Sequence, residues 1–269
     1  PGEPMQPLSQ CPARILAKLE IILLDLDDTL SWKGLLPGCA YGALEILQQE
    51  GLGVALITGR PAGWCDHIAR MWPVNGVVGE NGAFFFHYDR TSRKMERQYW
   101  RTTAQRKADR KQLEAIESRI LAEVPGAAVA TDQAYRESDL AIDHCEDVPA
   151  LPGDQIDRIV EIFQQAGATA KISSIHVNGW FGDFDKLGMT KRMIKRVFSI
   201  DLEADRTIAT FVGDSPNDAP MFDYFPDAIG VANVRRFLDT LEIAPRWVTG
   251  QPGGFGFAEF AKAVVAARK

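Results

Sequence analysis

Short uninterrupted aliphatic runs alternate along this chain with stretches in which apolar residues recur every third or fourth position. "IILLD" (21–25) predicts a buried strand. After "LPG", Ala40, Ala43, Leu44 and Leu47 fall on one helical face, and Gly51 and Gly53 mark the end of that helix. "VALITG" (54–59) predicts a second buried strand, and Pro61 suits the first turn of a helix over "PAGWCDHIARMW". "GVVGENGAFFF" (76–86) predicts a third strand with a glycine-rich turn and a candidate hairpin. Apolar strands separated by helices predict a parallel sheet covered on both faces.

The pattern then changes. A polar helix is expected over 103–123, with Leu113, Ile116, Ile120 and Leu121 on one face and a stop at "PG" (125–126). Strand-like pieces follow at "AAVAT" (127–131) and "SDLAID" (138–143). A further helix carries Ile156, Ile159, Val160 and Phe163 as far as Gly167, and "ATAKISSIHVN" (168–178) reads as extended. Aliphatic strands resume at "TIATFVGD" (207–214), "AIGVA" (228–232) and "RWVTG" (246–250). The expected organisation is a discontinuous α/β core at 19–87 and 181–269, an inserted α+β domain at 88–180, and an N-terminal tail at 1–18.

Composition narrows the function classes. The 269 residues are 46% hydrophobic and 25% charged, as in a globular protein. A net charge of -6 leaves no basic excess for a phosphate backbone, so a nucleic-acid partner is not expected. No 18 apolar residues run together and the start lacks a signal-peptide core, so no membrane partner is expected. The first residue is Pro, which points to a trimmed N-terminus with Met5 as a candidate start. Cys11, Cys39, Cys65 and Cys145 are scattered without a C-x-x-C pair, which fits neither a zinc site nor a disulfide framework and makes a cytoplasmic location the expectation.

The candidate chemistry begins at "IILLDLDDTL", where Asp25, Asp27 and Asp28 crowd the tip of the first strand. Like charges about 4 Å apart repel by about 1 kcal/mol even in water, so a cation, a proton or a reacting group is needed to offset them. Thr58-Gly59 ends the second strand and Asp214 ends a later one. In an open parallel sheet the ligand site lies just beyond the carboxyl ends of the strands, where these residues could meet. Alone, the D-x-D pattern reads as a solvated turn or helix cap. An EF-hand reading fails because Leu30 stands where the loop needs Gly, and the P-loop pattern is absent.

"DLDDTL", "LITGR", a lysine in "FDKLGMTKR" and "GDSPND" occur in that order. This order resembles the haloacid-dehalogenase superfamily of phosphotransferases, over residues 21–256. The resemblance implies a Rossmann-like core and assigns Asp25 as the nucleophile that forms an aspartyl-phosphate. Asp27 would be the acid that protonates the leaving oxygen and then the base that activates water. Mg2+ would be held by Asp25, the Asp27 backbone carbonyl and Asp214, with Asp218 in support. Thr58, the Gly59 amide and Asn217 would contact the phosphoryl group, and Lys186 would relieve repulsion between two anions. By themselves Thr58 reads as a strand-end cap, and Lys186 as a solvated helix-start lysine like Lys191, Lys195 and Arg196. Asp28 stands where relatives have Gly and is expected in a turn.

About 30 residues separate Asp27 from Thr58 and about 127 separate Thr58 from Lys186, so the insert occupies the second cap position of the superfamily (type C2). "GENGAFFF" and "GDSPND" resemble its subfamily IIB, with Cof-like and sucrose-phosphate-phosphatase-like sugar phosphatases and phosphomannomutases. The resemblance therefore implies a small phosphorylated substrate, a sugar phosphate above all, with no statement on oligomeric state. A phosphomutase using the same chemistry, or a non-catalytic phospho-acceptor, are the alternatives. In the cap, Ser174, His176 and Asn178 alternate onto one side with Ile175 and Val177 opposite, as a substrate wall or an ordinary solvated face. Arg136 reads as a second anion contact or an exposed loop arginine, Asn81 as a substrate contact or a turn residue, and "GWF" (179–181) as packing at the domain junction.

Overall fold

The strands foreseen as uninterrupted aliphatic runs lie side by side at the centre of a large mixed sheet, in a computed structural model that describes residues 5–173 and 175–269. In chain order the strands are β1 (Gln6–Pro7), β2 (Ile21–Leu24), β3 (Gly53–Ile57), β4 (Gly76–Gly79), β5 (Phe84–Asp89), β6 (Lys94–Tyr99), β7 (Ala128–Val129), β8 (Leu140–Asp143), β9 (Thr169–Ile172), β10 (His176–Trp180), β11 (Ala209–Gly213), β12 (Ile229–Gly230) and β13 (Trp247–Val248). The helices are α1 (Ala13–Ala17), α2 (Gly38–Gln49), α3 (Ala62–Met71), α4 (Thr103–Glu123), α5 (Gly153–Gln165), α6 (Lys186–Phe198), α7 (Ala219–Tyr224) and α8 (Gly253–Ala267).

The larger sheet runs β1-β13-β12-β11-β2-β3-β4-β5-β6, parallel up to β4 and then antiparallel. Strand β2 shows why no polar residue interrupts it. Ile22 and Leu24 pack against α2, α3 and α8, while Ile21 and Leu23 pack against α6 and α7 on the other face. Each such side chain contributes about 1.5–3 kcal/mol when fully buried. Both faces are dry, so the strand reads as one aliphatic run.

Two expected boundaries move. Strands β5 and β6 pair with the larger sheet, so the insert begins with α4 at Thr103 and not at residue 88. The strand "KMERQY" escapes notice because it lies at the sheet edge, partly in water, and carries no apolar alternation. The N-terminal segment is not wholly a tail. Gln6 and Pro7 pair with Trp247 and Val248, and Leu8 and Leu16 are buried against the core. The elements concerned, β1 and α1, span two and five residues, too few for a periodic signal.

The insert is a four-stranded sheet, β7-β8-β10-β9, with α4 and α5 on one face. Thr102 caps α4 through a reciprocal bond with Gln105, which explains its abrupt start. Leu113, Ile116 and Ile120 point into this small core with Ile142, Ile159, Phe163 and Val177. Leu121, expected among them, is exposed, because it lies one position past the buried Ile120 on a 3.6-residue turn. The extended stretch 168–178 is a hairpin, closed by Ser173 N donating to His176 O at 2.7 Å. Val177 faces the helices, so His176 and Asn178 face the other way, towards the core.

Candidate active site

Three strand tips and one helix start bring the motif residues together. Asp25 follows β2, Thr58 follows β3, Asp214 follows β11, and Lys186 opens α6. Lys186 Nζ donates to Asp25 Oδ1 at 2.8 Å and to Asp218 Oδ1 at 3.0 Å. Asp218 in turn accepts from the Asp214 backbone N–H at 3.2 Å. Gly213 is what allows this approach, since a Cβ there would stand 2.5 Å from Asp218 Oδ2. Helix α6 is seated against the "ENG" turn, where Gly82 has φ +107 and a Cβ would lie 2.0 Å from Asp185 O. Asp185 caps the helix by accepting from Gly188 N at 2.6 Å.

The electrostatics of this cluster are lopsided. Carboxylate oxygens of Asp25, Asp214 and Asp218 lie within 4.8 Å of one another, all three residues are buried, and the Lys186 ammonium pairs with Asp25 and Asp218. Burial pushes Asp25 up to about 7, with Lys186 opposing and Asp218 and Asp27 adding to the rise. Burial, then Asp218 and Asp25, push Asp214 well above the usual carboxylate range. Burial pulls the Lys186 ammonium down, but Asp218 and Asp25 outweigh it and its pKa is raised. Each close pair of ionised acids costs on the order of 4 kcal/mol at an effective dielectric of 20. All-oxygen donors with surplus negative charge are the chemistry that suits a hard divalent cation, and Asp25, Asp214 and Asp218 are the residues that could hold one.

The sequence missed several supports. Thr29 Oγ1 donates to Asp214 Oδ1 at 3.1 Å, and Asn233 Nδ2 donates to Asp214 Oδ2 at 2.9 Å and to Asp28 O at 3.0 Å. Asp28 itself lies in a left-handed turn, φ 54, where it accepts from Lys33 N. Thr58 is fully buried and accepts from Arg60 N at 3.1 Å, which leaves its hydroxyl proton free to donate elsewhere. Gly59 and Asn217 line the cavity above Asp25. Asp27 is gripped by Arg60, whose Nε and one terminal nitrogen donate to both its oxygens at 3.0 and 2.9 Å. Of these, Thr29 and Arg60 stand inside quoted motifs, "DLDDTL" and "LITGR", and Asn233 has no local signal.

The cavity holds about 530 Å³ between core and cap. Its cap wall includes Arg136, Ile172, Ile175, His176 and Asn178, so Ile175 lies at the cleft and not opposite it, because it sits in the hairpin turn. Ser174 lies outside the described residues. Arg136 is neither an exposed loop residue nor a free cation. It is buried, paired with Asp139 at 3.0 Å and Asp132 at 3.2 Å, and donates to Gly59 O. His176 is pushed down to about 4 by burial and by Arg136, and is therefore neutral at pH 7. Asn81 lies in a left-handed turn, φ 56, and lines the cavity. Trp180 stacks on Phe184 at 5.6 Å where the two units meet.

Glu80 ties cap to core. Its carboxylate accepts from the backbone N–H groups of Ala62 in the core and of Glu137, Ser138 and Asp139 in the cap. A larger hollow, about 700 Å³, faces the other end of the sheet near Glu20, Gly53 and Phe198, and none of the motif residues line it. Among the described residues no helix is long and apolar enough to cross a membrane.

Neither a family model nor a curated protein sequence matches the chain. Solved structures do. A Thermoplasma acidophilum protein is similar with a TM-score of 0.69 and 17% identity, covering 92% of this chain and 98% of that one. The sucrose-phosphatase of Synechocystis, solved with sucrose and phosphate, gives 0.62 and 14%, with 92% and 98% covered. A sugar phosphatase described as subclass IIB of the haloacid-dehalogenase superfamily gives 0.63 and 13%, again over 92% and 98%. Likeness over nearly the whole of each chain at such low identity is a likeness of fold, and this chain has the haloacid-dehalogenase fold with an inserted α+β cap that its four motifs resemble.

Proposed function

We propose that the chain is a Mg2+-dependent phosphatase that hydrolyses a small organophosphate, a sugar phosphate above all, through an aspartyl-phosphate on Asp25. The observation that carries this is the meeting of Asp25, Lys186, Asp214 and Asp218 at the strand tips beneath a cap. That the similar proteins include a sucrose-phosphatase and a sugar phosphatase supports the substrate class.

In the first step an Asp25 oxygen attacks phosphorus and the bond to the leaving oxygen breaks, while Asp27 gives that oxygen its proton. Lys186, already on Asp25, lowers the repulsion between carboxylate and phosphoryl group. The Thr58 hydroxyl, the Gly59 amide and Asn217 bond the phosphoryl oxygens. In the second step water attacks phosphorus, Asp27 takes its proton, and the bond to Asp25 breaks to release phosphate. Asp25, the Asp27 carbonyl and Asp214 would hold Mg2+, with Asp218 fixing the Asp214 backbone. The ion supplies charge neutralisation around the phosphoryl oxygens.

Water as the acceptor is favoured over a second sugar hydroxyl by the cap wall. A mutase holds an intermediate with two phosphoryl groups, and the distal one needs a cation on the cap side. Among the described cap residues lining the cavity the one cation, Arg136, is committed to Asp139 and Asp132, and His176 is neutral. A panel of phosphorylated sugars, scored for phosphate release with Mg2+ and with EDTA, tests the reading. Release is expected with Mg2+ only, and Asp25→Asn should lower it by three orders of magnitude or more. Near-normal rates in that variant would reassign the nucleophile. Isomer without free phosphate would make the chain a mutase.

A further inference from the structure

Three carboxylates share one guanidinium where core and cap meet. Arg60 follows the Thr58-Gly59 tip and grips both oxygens of Asp27. On its cap side it stands 3.6 Å from Glu146 and 3.7 Å from Asp132, just beyond hydrogen-bond reach. Its side chain is 12% exposed and lies 4.6 Å from the Trp64 ring, so it cannot turn out to water without giving up that packing. Asp132 Oδ2 is buried without a hydrogen-bond partner. A buried acceptor left in that state costs about 1–3 kcal/mol. A movement of under an ångström by the cap or by Arg60 would satisfy it.

We propose that Arg60 is a positioning residue that passes between Asp27 and the cap acids Asp132 and Glu146, so that the seating of the cap sets when Asp27 is free to serve the leaving oxygen. The proposal rests on the phosphatase reading. While Arg60 engages both Asp27 oxygens, that side chain is held by the guanidinium and not by the leaving oxygen. When the guanidinium tightens onto Asp132 and Glu146 it stays paired, which a largely buried cation requires, and the Asp27 side chain is released. No bond to phosphorus changes in this exchange; the proton transfers are those already described.

Two aryl esters that differ in their leaving group test it with the full chain and Mg2+. The oxygen of 4-nitrophenyl phosphate departs without a proton, whereas that of phenyl phosphate requires one. With Asp132→Asn and Glu146→Gln combined, Arg60 remains on Asp27. Phenyl phosphate kcat should then fall about tenfold or more and 4-nitrophenyl phosphate kcat by less than about threefold. Adding Arg60→Met, which removes the guanidinium, should bring phenyl phosphate turnover back to within about threefold of wild type. The single cap variants, whose thermal unfolding is followed in parallel, should show the same selectivity at smaller size. Equal losses on both esters, no loss on either, or a failed restoration overturns the inference while the phosphatase reading stands. A wild type that releases phosphate from neither ester nor from any phosphorylated sugar overturns both.

Discussion

Asn233 illustrates how a single side chain can hold a site without touching the reaction. Its amide nitrogen bonds Asp214 and the Asp28 carbonyl, and its oxygen accepts from Gly253 N at 2.9 Å. Asn233→Ala should leave that buried N–H unpaired at a cost of about 1–3 kcal/mol, read by denaturant unfolding. It should also raise the Mg2+ concentration for half-maximal phosphate release by about 10–100-fold. None of this was legible locally. Asp25, Asp27, Lys186 and Asp214 stand in motifs with fixed neighbours, and the structure brings the first, third and fourth into one cluster. Thr29 and Asn233 matter because the fold delivers them to Asp214 across 185 and 19 residues. Arg136 was misread because nothing in "YRES" announces that Asp132 and Asp139 would bury it.

At the level of elements, burial on both faces made β2, β3 and β11 readable, since each is an aliphatic run with no polar interruption. Partly wetted edge elements such as β6 have no such constraint and were missed. The junction between cap and core rests on Glu80, which belongs to neither pattern. Burial pushes its carboxyl up to about 8, with Asp139 adding and Arg136 opposing. In the unfolded chain it titrates near 4.5. The native state therefore binds an extra proton between those values and loses stability as pH rises through them. Melting temperature should fall from pH 5 to pH 8 in the wild type more steeply than in Glu80→Gln. Parallel curves for the two proteins would remove Glu80 from the account.

For the molecule as a whole, the acid cluster implies that the native state is electrostatically tense without a cation and relaxed with one. Mg2+ at about 100 times its dissociation constant should stabilise the protein by about 2.7 kcal/mol, visible as a higher melting temperature. Asp214→Asn should abolish most of that shift, and Ca2+ should reproduce it only in part, because its larger, more flexible coordination shell suits the same oxygens less well. The two-unit organisation was legible from the change in pattern after residue 87, although the sheet keeps one more hairpin than that change suggested. The cleft between the units depends on contacts from both, so its contents came only with the fold.

At residue 82 a missing carbon atom acts as a gauge. With no side chain to separate them, the turn and the first peptide of α6 lie flush, and the depth to which the helix is sunk decides how far its leading ammonium reaches. Any larger residue would act as a shim, lifting the helix and drawing Lys186 back from both of its acids at once. The reach of the lysine thus depends on the backbone of another segment.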